Sequence, residues 1–292
     1  MTTLLRLATR RSPLALWQAR HAAKVLRQRH PGLRIVLVPV LSGGDIDTFT
    51  PLHALGSVGV FCKEVHALVL SGQADVGVHS LKDLPTSPPD GMTLTALLPR
   101  VDPRDTLIGT RSLESLPHGA LIGTSSTRRR AQLASLRPDL RFTDLRGNVQ
   151  TRLAKIARGD AAATCMAVAG LRRLGLSTPH ASATLNPWTT CTPAPGQGAV
   201  ALDCRSADSR TRRLLACVSH HETATAIGIE RTVLAGLAGG CSLPLGCLVQ
   251  RINGSWHGVA RLGMPNGELR SLRVTGPAYA LAQRILDVLA KP

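Results

Sequence analysis

The chain has 292 residues and is 43% hydrophobic, enough for two or three domains with true cores. Its 35 Lys and Arg against 18 Asp and Glu give a net charge of +17 and call for a polyanionic partner. With one Tyr and three Phe, the stacking platforms of a nucleic-acid module are poorly supplied, so a multiply carboxylated or phosphorylated small molecule fits better.

Seven cysteines with no CxxC pair argue against a disulfide framework or a zinc site, and free thiols fit a reducing, cytoplasmic setting. No signal-peptide pattern opens the chain, and no run of about 18 apolar residues suggests a membrane span.

In chain order, Leu4–Ala8 reads as a strand. Ser12 followed by Pro13 is an N-cap with proline at the first helical position, and the helix runs to about Arg29. Ile35–Leu41 is a second strand, and Ser42-Gly43-Gly44-Asp45 opens a loop. Phe61–Leu70 is helical, Gly72 stops it, and Ala74–Val78 is a third, buried strand. At its carboxyl end stand His79, Lys82 and Asp83, where ligands collect in open α/β sheets. Ser80-Leu81-Lys82-Asp83 also fits a capping box, so Asp83 could merely tie off a helical turn before Pro85.

From Leu121 the plan repeats. Leu121-Ile122 is a strand, Thr127–Leu136 a helix, Leu140–Leu145 a strand, Val149–Ala157 a helix and Thr164–Ala169 a strand. LATRRSPLALWQA aligns with IGTSSTRRRAQLA, and LSGQADVGVHSLKDL with ARGDAAATCMAVAGL, in element order if not in residues. Two similar α/β units follow. Their helix starts carry Arg10, Arg11 and Ser12 in one, and Ser125, Ser126 and Arg128–Arg130 in the other, with Arg146 and Arg152 around a further start. Helix N-termini attract anions and arginine grips carboxylates bidentately, so together these residues suggest a carboxylate-binding cleft.

Pro193–Gly198 is a turn-rich crossover before a strand, Ala199–Leu202, that returns to the first unit; a helix Thr211–Val218 follows. His220-His221 favours capping over metal binding, since adjacent histidines point apart. Beyond a helix Thr223–Leu237, three strands (Leu248–Ile252, Trp256–Leu262, Leu269–Val274) and a closing helix form a smaller α+β domain. Cys165 and Cys217 read as buried structural thiols. Cys241, in Gly239-Gly240-Cys241-Ser242-Leu243-Pro244, sits on a loop and is a candidate for covalent chemistry.

The stretches ATRRSPLALWQA, FCKEVHALVLSGQADVGVHSLKDLPT, DPRD, GTSSTRRRAQL, LRGNVQTRLAKI, PGQGAVALDCR, HHETA and ERTVLAGLAGGCSLPLG together resemble the porphobilinogen deaminases. The resemblance implies two periplasmic-binding-protein-like α/β domains facing a cleft and a small α+β third domain with a three-stranded sheet. It divides the chain into 1–98 with 196–217, 102–192, and 220–292. It implies a dipyrromethane cofactor joined to Cys241 by a thioether, and head-to-tail condensation of four porphobilinogens with loss of ammonia. The product is a linear tetrapyrrole released by water. Asp83 matches the catalytic aspartate. Arg10, Ser12, Phe61, Lys82, Ser126, Arg128, Arg129, Arg146, Arg152 and Gln197 match cofactor- or substrate-contacting positions. The resemblance implies a cytoplasmic monomer with no metal, no nucleic acid and no membrane partner. The chain departs from the family pattern where Val58 replaces a lid lysine, where Phe49 replaces an acidic residue, and at Ala161-Ala162-Ala163. A paralog with altered turnover, or a non-catalytic anion-binding protein, are the rival readings; a reactive Cys241 separates the binding protein from the two enzyme readings.

Overall fold

The computed structural model describes residues 4–43, 61–176, 181–238 and 243–291. The described chain forms two units. The first takes residues 4–43, 61–101 and 198–224, and the second takes 102–176, 181–197, 225–238 and 243–291.

The first unit is built on a five-stranded sheet. Strands β1 (Leu4–Arg10), β2 (Arg34–Val40), β3 (Val76–Ser80), β4 (Met92–Leu97) and β10 (Val200–Arg205) lie in the order β2-β1-β3-β10-β4. β1 runs parallel to β2 and β3, and β10 runs antiparallel to β3 and β4. Parallel strands need crossovers, which helices α1 (Pro13–Arg29) and α2 (Lys63–Leu70) supply. α1 starts where expected because the Ser12 hydroxyl accepts from the Ala15 N–H, 3.3 Å away. Its Ala19, Ala22, Ala23 and Leu26 pack on Leu5, Leu7, Val76, Val78 and Leu202, an aliphatic core without an aromatic ring.

The second unit repeats this plan. β6 (Leu121–Gly123) is parallel to β7 (Arg141–Thr143) and β8 (Ala163–Ala167), and β5 (Asp105–Ile108) is antiparallel to β8 and to β9 (Ser182–Thr184). The order β7-β6-β8-β5-β9 matches that of the first sheet place for place. Helices α3 (Thr127–Leu136) and α4 (Val149–Ala157) keep the expected bounds, each capped by the residue before it. The same unit holds the antiparallel sheet β11-β12-β13 (Leu245–Ile252, Ser255–Gly263, Leu269–Gly276), covered by α7 (His221–Gly236) and α8 (Ala278–Leu289). Backbones meet closely here. A Cβ at Gly246 would stand 2.5 Å from the Thr192 carbonyl oxygen, so glycine is needed for β11 to lie against that loop.

Several expectations need correction. The sequence reading lacks β4, β5, β9 and the short helix α5 (Val168–Arg173), and it runs β8 into α5 because Val168 and Ala169 continue its apolar run. The 81–83 segment is a single 3-10 turn, and the Ser80 hydroxyl bonds to the Gln18 amide instead of capping it. The capping-box reading of Asp83 therefore fails. Cys217 is exposed at the end of α6 (Ser209–Ala216), not buried. His220 does cap, its Nδ1 accepting from the Thr223 N–H at 3.2 Å.

Candidate active site

β3 ends at Ser80, and the 3-10 turn Leu81–Asp83 follows because Pro85 cannot continue a helix. The turn is tied down on two sides. The Leu81 N–H donates to the Ala199 carbonyl at 3.1 Å, and Ser80 bonds to Gln18 of α1 at 2.8 Å. Asp83 is thereby presented, half-buried, in the wall of a pocket that also includes Arg10, Ser12, Phe61, Cys62 and His79. The Arg10 guanidinium lies over the Phe61 ring, 4.2 Å from its centroid. That contact holds the cation in place by cation–π attraction without consuming its hydrogen-bond donors. Thus Arg10, Ser12, Phe61 and Asp83 share one pocket within the first unit. Lys82, also half-buried, shares Asp83's turn.

In the second unit the arginines start from a different arrangement. Ser126 caps α3 by accepting from the Arg129 N–H at 3.4 Å, and Arg128 and Arg129 turn inward, 5% and 7% exposed. Both reach Asp105, which is fully buried. Arg128 donates to Oδ2 at 2.8 Å and Arg129 to Oδ1 at 2.7 Å. Gln197 donates to the same Oδ1 at 2.9 Å, and Arg128 also reaches the Thr192 carbonyl. Burial alone would push the Asp105 carboxyl up, but the two guanidinium groups more than offset it and hold it well below the usual carboxylate range. Two arginines facing one carboxylate leave this cluster a net positive charge of one. At the same helix start, Ser125 Oγ and Arg129 Nε are buried without a hydrogen-bond partner among the described residues. Such donors are costly unless an acceptor meets them. Arg146 stands in the loop before α4 and Arg152 in its second turn, both half-buried. Cys241 and residues 44–60, with Phe49 and Val58, lie outside the described residues.

Asp105 closes the DPRD stretch, but the sequence reading gives it no role. Its signal was an acid directly before the apolar run Thr106-Leu107-Ile108, a charge that must find partners. A second cluster was missed for the same reason. His66 lies inside apolar α2 and Asp203 inside apolar β10, and the two meet His79 of β3. The imidazoles donate from Nε2 to the two carboxylate oxygens of Asp203, at 2.7 Å from His66 and 3.2 Å from His79. Burial would raise the Asp203 carboxyl, but the histidines bring it down to about 2. Burial works against the charged form of His66, but Asp203 and Cys62 override it and push its imidazole up to about 9. The three groups present a divalent cation's donor types within 4.8 Å of one another. With both carboxylate oxygens already taken by N–H donors, they close as a hydrogen-bond network.

The repeated strand order β2-β1-β3-β10-β4 and β7-β6-β8-β5-β9 defines an α/β protein of two alike five-stranded mixed sheets, with a separate three-stranded antiparallel sheet. Residues 5–213 match the family described as "Porphobilinogen deaminase, dipyromethane cofactor binding domain", and the chain belongs to that family. Porphobilinogen is the substrate that the family implies, and dipyrromethane the cofactor of the matched domain. Among solved structures the chain is similar to ytmK of Bacillus subtilis, a probable amino-acid ABC transporter extracellular-binding protein. The identity is 8%, over 74% of this chain and 90% of that one, with a TM-score of 0.47. It is also similar to the methionine-binding protein MetQ (11% identity, 73% and 88% coverage, TM-score 0.44). A third is the periplasmic aliphatic sulphonate-binding protein SsuA of Escherichia coli (14%, 80% and 70%, 0.41).

Proposed function

We propose that this chain condenses four porphobilinogens head to tail, losing one ammonia at each addition, and releases the linear tetrapyrrole hydroxymethylbilane by hydrolysis. Dipyrromethane, bound through a thioether to Cys241 on the third domain (residues 220–292), would supply the primer from which the chain grows. The residues present fit such a group. Each pyrrole ring brings two carboxylates, and the α3 start offers unpartnered buried donors from Ser125 and Arg129 within a net-positive cluster. Arg128, Arg129, Arg146, Arg152 and Ser126 would hold those carboxylates in this unit. Arg10, Ser12 and Lys82 would do so in the other, with Gln197 holding Asp105 in register.

The observation that carries the reading is Asp83 on a rigid turn in the pocket wall, with no capping duty to explain it. When ammonia leaves porphobilinogen it leaves a carbocation conjugated with the pyrrole nitrogen. A fixed carboxylate in a partly enclosed pocket stabilises that charge as it develops, at no reorganisation cost during the step. Arg10, held over Phe61, would meanwhile fix a ring carboxylate so that the leaving carbon faces Asp83.

We place the enzyme in the cytoplasm as a monomer. The six described free cysteines support a reducing compartment, and among the described residues no helix is long and apolar enough to cross a membrane. The test is porphobilinogen consumption by wild type and Asp83→Asn. Turnover in the wild type and its near-complete loss in a folded variant support the assignment. Equal turnover in both sinks it.

A further inference from the structure

The cluster of His66, His79 and Asp203 ties α2 and β10 to β3, the strand that ends in the pocket wall. Phe61 and Cys62 precede α2, which carries His66; His79 and Ser80 end β3 and lead into Asp83; Asp203 belongs to β10. We propose that Asp203 is a positioning residue for the chemistry at Asp83: clamped between two imidazoles, it fixes His79 and hence the turn that presents the carboxylate. The proposal rests on the reading that Asp83 does the chemistry.

Three features show a purpose-built seat. Asp203 pairs with Gly77 across β3–β10, and a Cβ at Gly77 would lie 2.2 Å from Asp203 Oδ1 and 2.6 Å from His79 Nε2, so only glycine leaves room for the clamp. The β10–β4 register shifts between Leu202 and Asp203, the irregularity by which a sheet re-aims a side chain. The side chains are buried, with Asp203 5%, His79 4% and His66 7% exposed, where a carboxylate accepting two N–H bonds is held in a single geometry. His66 in turn meets Cys62 from its own helix start, and its ring centroid lies 5.1 Å from that of His79. His79 thus meets Asp203 and His66, and shares the pocket lining with Cys62, Arg10 and Asp83.

Asp203→Asn keeps the volume but can accept from only one imidazole; its amide N–H₂ faces the other donor. The expected result is a kcat lower by roughly 10- to 100-fold, the scale of a displacement of about 1 Å at a catalytic group, with KM changed less than about threefold. His66→Leu should follow the same pattern. His66→Gln, which still donates to Asp203, should restore most of the turnover. A merely structural cluster would lower stability in all three variants yet leave kcat per folded molecule unchanged, and that result overturns the proposal. Imidazole nitrogen NMR of the substrate-free protein gives a second measure. The His66 and His79 N–H signals should both shift in Asp203→Asn, together with the backbone signals of residues 80–83; unmoved 80–83 signals overturn the positioning role even if activity falls. A wild type with no porphobilinogen turnover would instead overturn the proposed function, and the NMR result would still decide this inference.

Discussion

Asp105 is a fully buried carboxylate of the second unit, and replacing it with Asn tests the electrostatics of that unit directly. The substitution keeps shape and leaves one oxygen, but removes the only carboxylate facing Arg128 at 2.8 Å and Arg129 at 2.7 Å among the described residues. Two guanidinium groups, 5% and 7% exposed, are then buried without a counter-charge. Removing one partner of a buried ion pair costs about 3–5 kcal/mol. Since Asn still accepts one bond, about 3 kcal/mol is expected, a large share of an ordinary stability of roughly 5–15 kcal/mol. At about 2–4 °C per kcal/mol this lowers Tm by roughly 6–12 °C. Asp160→Asn is the control: its partner Arg158 is 64% exposed, and such surface pairs are worth about 0–1 kcal/mol. Thermal unfolding and urea titration of the three proteins measure both costs. A Tm for Asp105→Asn within about 2 °C of wild type would refute the claim that Arg128 and Arg129 depend on it.

Asp83→Asn should leave the urea midpoint nearly unchanged, because Asp83 caps nothing, while porphobilinogen turnover is lost. Arg146→Ala and Arg152→Ala should lower cofactor loading or elongation about tenfold or more with little change in Tm, each removing a charge-assisted contact worth about 1.5–3 kcal/mol; product analysis by mass distinguishes the two failures. His66 makes stability depend on alkaline pH. Its folded pKa of about 9 exceeds the ordinary 6.5, so its contribution is fully present below pH 6.5 and fades as pH rises through about 9. The stability difference between wild type and His66→Gln, measured at pH 6, 8 and 10, should therefore shrink with rising pH; a constant difference refutes the assignment. For Asp203 the sign reverses. Its folded value of about 2 lies under the ordinary 3.8, so its stabilisation holds above pH 3.8 and is lost as pH falls through about 2.

What could be read ahead of the structure was whatever leaves a local mark. Ser12-Pro13 announces a helix start by capping chemistry, and α3 and α4, capped in the structure by Ser126 and Asn148, keep their expected bounds to the residue. The duplication was legible because loop positions repeat even where residues do not, and the two strand orders match. Arg10, Ser12 and Asp83 were legible as chemistry-bearing residues at a strand end and a helix start, and they line one pocket. The unread parts depend on distant partners. β5 and β9 are short and pair across long gaps in sequence, so no local periodicity marks them. Arg128 and Arg129 read as carboxylate-binding cations on a helix start, but their buried partner Asp105, 23 and 24 residues away, leaves no mark beside them. Asp203 joins His66 across 137 residues, a link that neither segment signals except by placing an ionisable group in an apolar run.

The central claim is that Cys241 bears the cofactor on which the tetrapyrrole grows. Intact-mass spectrometry of the protein purified from cells that make porphobilinogen tests it most directly. The account predicts a mass above that of the sequence by a dipyrromethane of two pyrrole units, absent from Cys241→Ser. Wild-type protein at its bare sequence mass, or the same added mass on Cys241→Ser, would contradict it.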